Sequence, residues 1–108
     1  MFVVVTKYLI PNGFAGMALF PFIFLKEKKH MHNASMILHE KIHLRQQAEL
    51  LILPFFIWYG LEFLVRLLQH KNKNLAYRNI SFEREAYANE STTGFLEQRS
   101  FWNFIKYM

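Results

Sequence analysis

The stretch Asn33–Leu53, NASMILHEKIHLRQQAELLIL, reads as one long helix. Asn33 or Ser35 can cap its start, and no proline or glycine follows until Pro54. Pro54 can begin or kink the next helix, which runs to about His70. Inside the first helix lies His39-Glu40-Lys41-Ile42-His43, the pattern HExxH. Residues four apart project from one helix face, so two imidazoles can reach a single metal ion. Glu40 is rotated off that stripe, which suits it to act as a general base on a metal-activated water. The alternative makes His39 and His43 ordinary core histidines, although burying two imidazoles and a carboxylate without a metal is costly.

On the N-terminal side, Phe2–Ile10 is β-branched and reads as a strand closed by the turn Pro11-Asn12-Gly13. Met17–Lys26 reads as a second strand. Pro21 places it at a sheet edge or a bulge, because proline cannot donate to a ladder. On the C-terminal side, Lys71–Asn74 looks like a solvated loop, and Asn79 or Ser81 can cap a third helix over Phe82–Ser91. Gly94 separates a last segment, whose Phe101, Trp102, Phe104 and Ile105 supply an apolar docking face. The expected class is α+β: a small antiparallel sheet packed against three to four helices, with HExxH on the central one.

The chain has 108 residues, which suits a single domain over 1–108. Its 53% hydrophobic content excludes a disordered chain. With no cysteine there is no disulfide framework, thiolate site or cysteine nucleophile, and the composition fits a reducing, cytoplasmic setting. A net charge of +5 favours acidic partners. No dense basic arm points to nucleic acid, since Lys26–Lys29 is broken by Glu27. Leu50–Leu68 is long and apolar enough to raise membrane contact. Pro54, Gly60, Glu62 and Arg66 argue against a simple span, which leaves peripheral contact as the membrane alternative.

A catalytic zinc needs a third protein ligand. The chain has no aspartate or cysteine, and HExxHxxGxxH is absent because position 46 is Gln and position 49 is Glu. The remaining donors are Glu83, Glu85 and Glu90 in the third helix. Glu83 and Glu85 stand about 200° apart on a helix, so only one of them can face the metal. Weaker signals are the His30-x-His32 pair and Gln46 and Gln47 along the ligand stripe, while Tyr77 and Tyr87 read as packed aromatics. Lys41, Arg45 and Glu49 read as a solvated helix face.

HExxH with a glutamate on a later helix resembles the gluzincin metallopeptidases. The chain's size and order of elements are similar to the minigluzincins. In that class the third ligand is often a Glu followed by Ala, with Asp or Asn four positions on. Glu85-Ala86-Tyr87-Ala88-Asn89 matches. The resemblance therefore implies Zn2+ on His39, His43 and Glu85, Asn89 orienting an imidazole, and Glu40 as base. It further implies hydrolysis of a peptide substrate, and an enzyme that can be latent with a terminal segment in its cleft; Pro21, which leaves Met17–Lys26 as the free edge, would place that substrate extended along it. The competing expectations are a zinc-binding protein without turnover and a membrane-associated helical protein.

Overall fold

The computed structural model describes residues 2–6, 8, 10 and 14–108. The expected turn at 11–13 lies outside the described residues. The architecture is α+β, with three strands, five α-helices and two short 3₁₀ helices among the described residues.

Strand β1 is Phe2–Val5, shorter than expected, and β2 and β3 are Gly16–Leu19 and Phe22–Leu25. The expected single strand Met17–Lys26 is thus a hairpin that folds at the cis Phe20-Pro21 bond. Its corner absorbs the missing proline donor. The order is β1-β3-β2, with β1 parallel and β2 antiparallel to β3. The sheet is therefore mixed rather than antiparallel, because a hairpin in place of one long strand adds a chain reversal.

Helix α1 spans Ala34–Leu50 and is capped as expected, Asn33 Oδ1 accepting from Met36 N at 3.1 Å. It stops earlier than Leu53. In a continuous helix the Pro54 ring would collide with the carbonyl of Leu50. The chain breaks instead at Leu51, with φ 64° and ψ 150°, a sparsely populated positive-φ conformation that costs a non-glycine residue about 1–3 kcal/mol. Pro54 then sits in the first turn of α2, Ile52–His70, where a missing N–H leaves no bond unmade. The expected loop after it contains a further helix, α3 at Lys73–Arg78, because Asn72 caps it through Leu75 N at 3.1 Å.

Helix α4, Ser81–Asn89, has no side-chain cap from its own sequence. The carboxylate of Glu62, on α2, accepts both Ser81 N–H and the Ser81 hydroxyl at 2.7 Å. A carboxylate there also complements the positive end of the helix dipole. Helix α5 is the single turn Phe95–Gln98.

Two clusters make the core. Ala18, Ile23 and Leu25 of the sheet pack with Leu44, Met36 and Ile37 of α1. Leu50, Phe55, Ile80, Phe82 and Phe104 form the second, flanked by Trp58, Tyr59 and Phe63. Of the C-terminal aromatic face only Phe104 is buried, its ring 4.6 Å from Phe82 and 5.1 Å from Trp58. Phe101, Trp102 and Ile105 are exposed, contrary to the docking expectation.

Candidate metal centre

α1 carries His39 and His43 on one face, one turn apart, with ring centroids 4.8 Å from each other. α4 packs against it. This arrangement brings Glu83 to the imidazoles. Glu83 Oε1 is 3.1 Å from His39 Nε2 and 3.0 Å from His43 Nε2, and the two nitrogens are 3.2 Å apart. All three residues are buried.

Each imidazole is held from behind. His39 Nδ1 is 2.8 Å from Glu90 Oε2, and His43 Nδ1 is 2.8 Å from Gln46 Oε1. Oxygen acceptors at both Nδ1 positions assign the protons there and turn the Nε2 lone pairs toward Glu83. Three electron-rich atoms then meet with at most one proton to share. Tetrahedral zinc with bonds of about 2.0–2.1 Å spaces its donors about 3.3–3.4 Å apart. The observed triangle is close to that spacing, so the donor set fits a small divalent cation.

Burial by itself lowers the pKa of His43, but the Glu83 carboxylate outweighs it and raises the group to about 9. Glu83 is pushed up by burial and held well below the usual carboxylate range by His43 and His39. Histidine in the unfolded chain titrates near 6.5. A folded pKa above that value gives stability that is fully present below about pH 6.5 and is lost as pH rises through about 9. Chelator-treated protein is therefore expected to melt at falling temperature across that window. A flat profile in scanning calorimetry would contradict the His43–Glu83 pairing.

The remaining wall is aromatic. Tyr59, from α2, donates to Glu83 Oε2 at 2.7 Å, and burial followed by the Glu83 charge pushes its phenol far up, so it stays a donor. The Tyr87 ring stands edge-on to His39 with centroids 4.4 Å apart, and its hydroxyl is 3.2 Å from that of Tyr77. Glu40 is buried beside the imidazoles. Burial raises its pKa against the lowering pull of His43 and His39. Gly16 of β2 passes near it: a Cβ there would lie 3.7 Å from Glu40 Oε1 and 3.3 Å from Leu25.

Glu85, the expected third ligand, points away from the imidazoles. Its carboxylate receives Arg99 Nε, Arg99 Nη2 at 3.0 Å, Gln46 Nε2 at 2.9 Å and Asn103 Nδ2 at 3.1 Å. The reason is helical register combined with a buried cation. Only one of the two glutamates can face the imidazoles, and Arg99 holds the other. Asn89 likewise misses the imidazoles and donates to Glu85 O at 2.8 Å and to the Tyr107 hydroxyl at 2.9 Å. Glu90 does the orienting instead. Glu83 and Glu90 are seven apart, two helical turns, and that spacing is the sequence signal that marks them as a pair.

Several weaker signals resolve differently. Gln46 touches the site through His43 and joins it to Glu85. Gln47 does not: its amide donates to Ala18 O at 2.9 Å and accepts Phe20 N–H at 2.6 Å, covering part of the outer edge of β2. Glu49 is not solvated but paired with Arg99 Nη1 at 2.6 Å, with its side chain 5% exposed. His30 accepts from Glu27 N at 3.3 Å within its own turn, away from the centre. No family model, curated protein or solved structure matches this chain.

Proposed function

We propose that the chain is a zinc-dependent peptidase of the kind the gluzincin and minigluzincin resemblance implies, with His39, His43 and Glu83 as its metal ligands. The observation that supports it most is the convergence of two Nε2 atoms and one carboxylate oxygen, each already oriented by a further partner. A zinc ion held there supplies Lewis acidity toward a peptide carbonyl and acidifies water.

The chain's own residues do the rest. Tyr59 fixes the Glu83 carboxylate by occupying Oε2, which leaves Oε1 for the metal. Glu90 and Gln46 hold the ring planes and tautomers. Glu40 takes the proton of the attacking water on its carboxylate and passes it to the leaving amine. Its raised pKa suits a group that must both accept and return a proton. An extended peptide substrate would pair with the β2 edge near Gly16, short of the part that Gln47 covers.

Glu40→Gln is expected to keep zinc binding and to lower peptide hydrolysis by about 100-fold or more. Zinc content and turnover of peptide mixtures, measured on the same preparation, test this. A variant that binds zinc and cleaves as fast as the parent would remove Glu40 from the reaction.

A second reading, a zinc centre without turnover or in a latent state, is favoured by one observation. His39, Glu40, His43 and Glu83 are all 4–7% exposed. Activity that appears only after trimming a terminus supports latency. Unfolding on trimming, with zinc bound but no cleavage at any stage, supports a structural centre.

A further inference from the structure

Helix α2 is built with its polar side inward. Tyr59 reaches Glu83 and Glu62 reaches Ser81, with Arg66 3.9 Å from Glu62. The opposite side is a continuous apolar stripe. Leu53, Phe56, Ile57, Leu61, Leu64, Val65 and Leu68 are all exposed, Leu61 by 60% and Leu68 by 79%. Their spacing of three and four places them along one helix face. Only Phe55 of the whole helix is buried. The helix is long and apolar enough to cross a membrane by length and composition. Crossing would carry the Glu62–Arg66 side and its Ser81 partner into hydrocarbon, whereas lying flat buries only the stripe.

We infer that this stripe docks on an anionic lipid bilayer, with α2 lying in the interface plane. Two observations select that occupant. The stripe carries no charge, and the exposed residues that follow it, His70, Lys71 and Lys73, are basic, complementing acidic headgroups. Phe101 and Trp102 are exposed beside the α1–α2 joint, where Trp102 Nε1 donates to Glu49 O at 3.3 Å, and such rings favour headgroup depth. The inference stands whether or not the centre is a peptidase. Because Tyr59 reaches Glu83 from the other side of α2, the bilayer would lie about one helix diameter, roughly 10 Å, from the metal centre.

Sedimentation with vesicles tests this. Full-length protein should pellet with vesicles of equal parts phosphatidylcholine and phosphatidylglycerol, and about tenfold or more weakly with phosphatidylcholine alone. Leu61→Glu/Leu64→Glu, at exposed positions, should keep the far-ultraviolet circular dichroism of the parent and lose about tenfold or more of the binding. Lys71→Glu/Lys73→Glu should lose the preference for the anionic vesicles. Parent protein that stays in the supernatant with both compositions overturns the inference, as does unchanged binding by Leu61→Glu/Leu64→Glu. A dimer in lipid-free ultracentrifugation that this variant dissolves, with no vesicle binding by the parent, would assign the stripe to a second copy instead.

Discussion

Zinc titration against a competing chelator is expected to show affinity collapsing in Glu83→Gln, by well over 100-fold, while Glu85→Gln stays within about tenfold of the parent. The amide in Glu83→Gln keeps the size of the side chain and its contact with Tyr59 but removes the charge. That charge now stands 3.0 and 3.1 Å from two imidazole nitrogens. A neutral oxygen in the same place is a poor ligand for a divalent cation, and two imidazoles alone leave the coordination incomplete. Glu90→Gln gives the internal scale. It touches only the far nitrogen of His39, so a loss of about 10–100-fold is expected, between the other two. The small effect allowed for Glu85→Gln travels through Gln46, which bridges Glu85 Oε1 and His43 Nδ1. If Glu85→Gln proves more damaging to zinc than Glu83→Gln, the site is misassigned.

The second large effect concerns stability. Arg99 is fully buried at its side chain and stands between the carboxylates of Glu85 and Glu49. Removing its charge, as in Arg99→Met, leaves two buried carboxylates facing each other without a cation. Breaking a buried pair from one side costs about 3–5 kcal/mol, because the remaining charge is neither solvated nor compensated. In a chain of this size that is a large share of the total stability. Urea titration should show an unfolding free energy lower by that amount in Arg99→Met, read as the midpoint shift multiplied by the m-value. Arg99→Met/Glu85→Gln should recover part of it, since one of the stranded charges is then gone. An Arg99→Met midpoint equal to the parent's would show that the Arg99–Glu85–Glu49 cluster contributes nothing to stability.

Both predictions turn on the question of which glutamate meets the imidazoles, and the sequence posed that question correctly without being able to answer it. The 200° separation of Glu83 and Glu85 is local geometry and needs no fold. The choice between them depends on Arg99, fourteen residues beyond Glu85, and on Tyr59, twenty-four before Glu83. The Glu-Ala-x-x-Asn spacing was carried from a resemblance, and in this chain it belongs to the arginine cluster.

What the sequence determines by itself is what short-range physics controls. The Asn33 cap, the helix after it and the shared face of His39 and His43 follow from hydrogen bonding and the 3.6-residue repeat. So does the break before Pro54, where a ring cannot coexist with the preceding turn, and so does the α+β class. Tertiary structure alone decided the rest. The parallel pairing of β1 with β3 joins segments twenty residues apart, which no local spacing encodes. Glu62 caps α4 from another helix, and Arg99 turns Glu85 away from the two imidazoles. The direction in which α2 presents its apolar stripe was settled by where Glu62 and Tyr59 found partners. Buried polar groups must be paired, and their partners lie wherever the folded chain brings them.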